Sequence, residues 1–73
     1  MATFNIDIYA SNIAQLTTTR QAIAAMLNTE LVKLRFDESR RHTGIVRLTT
    51  ELSHSQRQNI INLPGVQTVL PVQ

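Results

Sequence analysis

The chain contains no cysteine. Disulfides and thiolate metal sites are therefore excluded, and the redox compartment is left open. Glycine occurs only twice, as Gly44 and Gly65, each isolated, so no glycine-rich loop is present to cradle a phosphate. Aromatic residues are scarce at 4%, namely Phe4, Tyr9 and Phe36, too few for the stacking platforms with which sheet-face readers hold RNA bases. No stretch approaches the roughly 18 apolar residues of a membrane span, and no membrane partner is expected. The opening MATFNIDIYA has no basic region, apolar core or small-residue cleavage site. No secretory signal is read there, and cytoplasm is the expected compartment.

What is there amounts to 73 residues, enough for a single domain over 1–73. A chain of this size buries only about 60% of its unfolded surface, so its core is thin and commonly stapled. With disulfides and thiolate metals gone, association is the remaining common staple, and a homodimer is expected. One lysine and six arginines stand against five acids, a formal charge of +2. That is less than a dedicated nucleic-acid binder of this size carries.

TFNIDIYA alternates: Phe4, Ile6 and Ile8 point one way, Asn5, Asp7 and Tyr9 the other, the period of a half-buried strand. A helix follows, capped by Ser11 or Asn12, with a second capping-box pattern at Thr18 and Gln21. Three consecutive β-branched threonines at 17–19 are poor helix formers, so the secure part is 19–28, with Ala22, Ile23, Met26 and Leu27 as its apolar stripe. An earlier start adds Ile13 and Leu16 to that stripe. ELVKLRFD predicts a strand over 30–37, with Val32, Leu34 and Phe36 inward and Lys33 and Arg35 outward. ESRRHTG is a polar hairpin loop. IVRLTTEL is a third strand, with Val46 and Leu48 inward and Arg47 and Thr49 outward. Ser53 and Gln56 form a capping box before a short helix to about Leu63, and Pro64-Gly65 stops it. VQTVLPV is the fourth strand. Val66 and Val69 cannot both face inward in a regular strand, so either Val66 belongs to the turn or the strand carries a bulge.

The order strand, helix, strand, strand, helix, strand predicts a ferredoxin-like α+β fold: βαββαβ, with two helices on one face of a four-stranded antiparallel sheet. The first and third strands are then central, which sets Asp7 beside Arg47 and Arg35 beyond it. The other sheet face stays open and carries Asn5, Asp7, Tyr9, Lys33, Arg35, Arg47 and Thr49. Its basic residues, with Arg40 and Arg41 on the hairpin, are candidate phosphate contacts. The plainer reading is a solvated face with an Asp7–Arg47 pair, and the modest charge and missing aromatics favour it. The edge strands offer unpaired backbone groups for strand addition. Lys33 and Arg35 discourage pairing at one edge and Pro71, lacking an N–H, interrupts the other, which leaves the open face as the preferred self-association surface.

No enzyme is expected. His42 and His54 have no ligand or catalytic partner at a working spacing, and in Ser53-His54-Ser55 adjacent helical side chains do not face one another. Asp37 and Glu38 sit among arginines as hairpin solubilisers. No cofactor is expected either.

GIVRL at 44–48, followed by LSHSQRQNIINLPGVQTVLPV at 52–72, resembles the subtilisin-type protease propeptide and inhibitor family. The resemblance rests on a glycine opening the third strand, Leu52 before a helix through Ile60, and Leu63-Pro64-Gly65-Val66 leading to Val69. It covers under half of the chain. It implies the same strand and helix order, and a tail, Leu70, Pro71, Val72 and Gln73, laid in a protease cleft like a bound product. The sequence thus predicts a small binding or oligomerisation module. Its candidate contacts are Asp7, Tyr9, Lys33, Arg35 and Arg47 on the open face, or the tail. Protease inhibition and nucleic-acid binding are the alternatives.

Overall fold

In the computed structural model, which describes residues 2–72, the alternation of TFNIDIY becomes strand β1 (Ala2–Tyr9). It is followed by helix α1 (Ile13–Met26), a two-residue strand β2 (Phe36–Asp37), β3 (Ile45–Leu52), helix α2 (His54–Ile61) and β4 (Val66–Pro71). The strands form one antiparallel sheet in the order β2-β3-β1-β4, the ferredoxin-like arrangement, with β1 and β3 central. Ile6 and Ile8, Val46, Leu48 and Leu52, and Val69 meet Leu16 and Ile23 of α1 and Ile60 of α2 in one buried cluster. Both helices therefore cover the same sheet face.

Backbone hydrogen bonds fix which groups each edge exposes. Ala10 N–H donates to the Gly44 carbonyl at 2.8 Å, Tyr9 N–H to Gly65 at 2.8 Å, and Val72 N–H to Thr3 at 3.0 Å. A residue in an antiparallel strand aims its N–H and C=O to one side, and its neighbours aim theirs to the other. Even-numbered residues of β1 thus bond β3 and odd-numbered ones bond β4. On β4 the same alternation aims Thr68 and Leu70 at β1, and Val69 and Pro71 outward. Proline stands where its missing N–H would have faced the edge, a position that tolerates it and blunts the edge for pairing.

The Val66–Val69 ambiguity resolves as a bulge. Asp7 opposes Thr68 and Ile8 opposes Val66, so Gln67 is the extra residue and both valines reach the core side. α1 starts at Ile13, six residues before the secure 19–28 segment. Asn12 Oδ1 accepts the Gln15 N–H at 3.1 Å as its cap. The threonine hydroxyls donate to the carbonyls four residues back: Thr17 to Ile13, Thr18 to Ala14 and Thr19 to Gln15. The burial of Leu16 and the Thr19 bond to Pro64 outweigh a propensity cost of a few tenths of a kcal/mol per residue, while the back-bonds satisfy the hydroxyls locally. Thr18 is therefore within the helix and not a second cap. The buried stripe is Leu16, Thr19, Ile23 and Ala24, with Met26 at its exposed margin. α2 has the expected capping box, Ser53 with Gln56, but ends at Ile61, two residues short of Leu63.

The predicted strand over 30–37 is the main correction. Only Phe36 and Asp37 pair with β3; Leu31–Lys33 is a 3-10 turn. Lys33 N–H donates to Glu30 and Leu34 N–H to Leu31, each at 3.0 Å, so the amides are satisfied locally. Leu34 and Phe36 still reach the core, but Val32, expected inward, is 84% exposed.

Gly65, after α2, is the tightest joint. It has φ +89°, and a Cβ there would lie 2.6 Å from Thr19 Oγ1. That hydroxyl is buried and shares its proton between the Gln15 carbonyl at 2.9 Å and the Pro64 carbonyl at 2.8 Å, binding α1 to the turn. Gly44 has φ +83° but open space around its Cα. Gly44→Ala is therefore expected to cost about 1 kcal/mol, the left-handed backbone alone, and Gly65→Ala about 2–3 kcal/mol. Urea midpoints of the two variants check the order.

Candidate functional site

The face opposite the helices is built from the outward residues of the four strands. Register sets Asp37, Arg47, Asp7 and Thr68 in one row across it. Arg47 Nε donates to Asp7 Oδ1 at 2.7 Å and Nη2 to Oδ2 at 3.1 Å, a two-pronged pair at the centre. In the next row Thr49 donates its hydroxyl to Asn5 Oδ1, with Leu70 beside Asn5. Beyond it lie Glu51 and Thr3, and Val72 hydrogen-bonded to Thr3. Tyr9 and Ile45 form the opposite end. The polar centre is thus flanked by apolar groups: Leu70 is 57% exposed, Val72 43% and Tyr9 46%.

The hairpin between β2 and β3 closes one side. Asp37 accepts the Ser39 N–H at 2.9 Å; the Ser39 side chain first, then this backbone bond and the nearby Arg40 charge, hold its carboxyl below the ordinary 3.8. Glu38 turns away from the open face. It accepts from Arg20 of α1 at 3.1 Å and from Arg41 at 2.7 Å, and these two guanidiniums hold it below the ordinary 4.5. Between hairpin and sheet lies a depression of about 240 Å³ lined by Asp7, Asp37, Ser39, Arg40, Thr43, Ile45 and Arg47.

Of the residues expected on this face, Asp7, Tyr9 and Arg47 are there. Lys33 is not: it ends the 3-10 turn, off the sheet. Arg35 immediately precedes β2 and is exposed, and the neighbour of Arg47 is Asp37. Of the hairpin arginines, Arg40 lines the depression and forms no ion pair among the described residues, whereas Arg41 is engaged by Glu38. The tail does not project: β4 runs to Pro71 and Val72 stays bonded to Thr3. Gln73 lies outside the described residues. Phe4 and Phe36 face the helix side, where the Arg57 guanidinium sits 5.4 Å from the centre of one ring and that of Arg20 4.9 Å from the other. Tyr9 is the one aromatic ring on the open face.

Asp37 reads from the sequence as a hairpin solubiliser, and Ser39, Thr43 and Ile45 are not among the candidate contacts. Extending the Asp7–Arg47 row through the hairpin by one strand would have found Asp37. Ile45 follows from the same alternation, two residues before Arg47, whereas Ser39 and Thr43 depend on the folded loop, for which alternation gives no signal. Among the described residues no group of three or more His, Cys, Asp or Glu is arranged to hold a metal ion, and no helix is long and apolar enough to cross a membrane.

Compared with known proteins, the chain matches no family model, no curated protein and no solved structure. The site is therefore read from its own geometry.

Glu38 ties α1 to the hairpin that frames the depression, and its lowered pKa sets the sign of a pH effect. Its contribution is fully present above the ordinary value of 4.5 and is lost as pH falls through the lower folded-state value. Glu38→Gln is expected to lower the urea midpoint at neutral pH, and the gap to the parent protein should close as the solution is acidified below 4.5.

Proposed function

We propose that this domain is a non-enzymatic association module that pairs with a second copy of itself through the open sheet face. The observation that carries this reading is the set of exposed apolar side chains there, Leu70, Val72 and Tyr9, around a polar centre already satisfied by its own bonds. Two-fold association brings a patch against itself, so a face of one sign would repel its copy. This face carries both signs, Asp7, Asp37 and Glu51 against Arg47, with Arg40 at the rim. The edges favour the same choice. β4 presents proline to any added strand and β2 is two residues long, so side chains rather than backbone are what the molecule offers.

Size bounds the affinity. Four strands about 4.8 Å apart and about six residues long at ~3.4 Å each make a plane of roughly 400 Å². A standard interface takes about 800 Å² per partner, so this is a weak, concentration-dependent dimer. Sedimentation velocity from micromolar to millimolar protein is expected to show the average mass rising toward that of two chains. Leu70→Glu should abolish the rise, and Ile61→Glu on the helix side should leave it intact. A constant monomer mass, or a Leu70→Glu protein that dimerises normally, defeats the reading. Loss of subtilisin-type protease inhibition on removing 71–73 would move the function to the tail. Single-strand binding that weakens with salt would move it to nucleic acid.

A further inference from the structure

We propose that the depression at the β2–β3 hairpin binds a small zwitterion, an α-amino acid with a short side chain. The lining carries two carboxylates, Asp7 and Asp37, and two guanidiniums, Arg40 and Arg47, and is neutral as a whole. A neutral lining with separated signs favours neither a simple anion nor a simple cation. Asp7 and Arg47 spend their charge on each other through two hydrogen bonds and form one wall. Asp37 and Arg40 remain. Neither has an ion-pair partner within 4 Å among the described residues, not even the other. Asp37 accepts one backbone amide, from Ser39, and a carboxylate has room for several more donors. Arg40 is free to meet a carboxylate with its planar fork.

A molecule bridging the two needs an ammonium toward Asp37 and a carboxylate toward Arg40, the two ends that a small amino acid carries. Ser39 and Thr43 stand beside that gap, and Ile45 supplies an apolar wall for a small side chain. Thr43 already donates its hydroxyl to the Arg40 carbonyl, which steadies the loop carrying Arg40. The space agrees with this class. About 240 Å³ lies below the ~300 Å³ at which pockets for drug-sized ligands begin. Two charge-assisted contacts on an exposed rim correspond to a Kd on the order of 1 mM.

The test is a nuclear magnetic resonance titration of the isotope-labelled protein with L-alanine, with acetate, methylammonium and inorganic phosphate as separate probes. Saturable shifts are expected for L-alanine at 37–47 and at Asp7, with each single-charge probe binding about tenfold more weakly. Arg40→Gln and Asp37→Asn alter exposed side chains, leave the other resonances in place, and should each weaken L-alanine about tenfold. The absence of saturable shifts overturns the proposal. So does acetate or phosphate binding as tightly as L-alanine, which would make Arg40 a plain anion contact, or an Asp37→Asn protein that binds normally. Leu70→Glu should bind L-alanine unchanged, so this proposal and self-association fail independently.

Discussion

The structure depends on the double bonding of β1. Its even-numbered residues bond β3 and its odd-numbered residues bond β4, and the same parity sends Phe4, Ile6 and Ile8 toward the helices and Asn5, Asp7 and Tyr9 away from them. A one-residue slip would exchange those sets, burying a carboxylate and exposing two isoleucines that are now fully covered. The Asp7–Arg47 pair follows from that parity, because it exists only in the register that also closes the core. On the helix side Thr19 performs the matching service. Its hydroxyl joins α1 to the turn after α2, and the bare Cα of Gly65 lets the two approach.

Where a period was strong, the sequence was readable. β1 and β3 alternate over eight residues each, and the inward residues read from that period are inward, with Leu52 added at the end of β3. The capping box before α2 was legible because it needs only Ser53 and Gln56 at the right spacing. The bulge in β4 could be posed as a question from Val66 and Val69, but only pairing with β1 could answer it. The early start of α1 is not legible because its three threonines have poor helix propensity, and propensity is a weak prior against a buried Leu16 and a Thr19 hydroxyl bound to Pro64.

The segment ELVKLRFD misleads for a physical reason. It alternates like a strand, yet an edge strand gains ladder bonds on one side only, and Lys33 and Leu34 find acceptors within their own turn. The backbone of Glu51, which parity aims toward β2, is thus left beside space that a longer β2 would have filled. The candidate site shares this limit. Its central pair was visible in the sequence because two long strands carry it. Its hairpin wall is legible only in part: Arg40 stands out as a hairpin charge, but Ser39 and Thr43 are placed by a loop whose conformation has no sequence period.

Edge protection and face chemistry are linked. Pro71 and the two-residue β2 blunt both edges for strand addition, and the open face presents side chains instead. That face cannot be wholly apolar, since a lone monomer would then aggregate. It cannot carry bare charges at its centre either, because desolvating an unpaired ion costs several kcal/mol. Asp7–Arg47 and Asn5–Thr49 go toward both conditions: they keep the centre polar while pairing its two central charges with each other. Asp37 and Arg40, which have no ion partner among the described residues, lie off this centre at the exposed hairpin, where their charges keep their hydration at no cost to the paired centre.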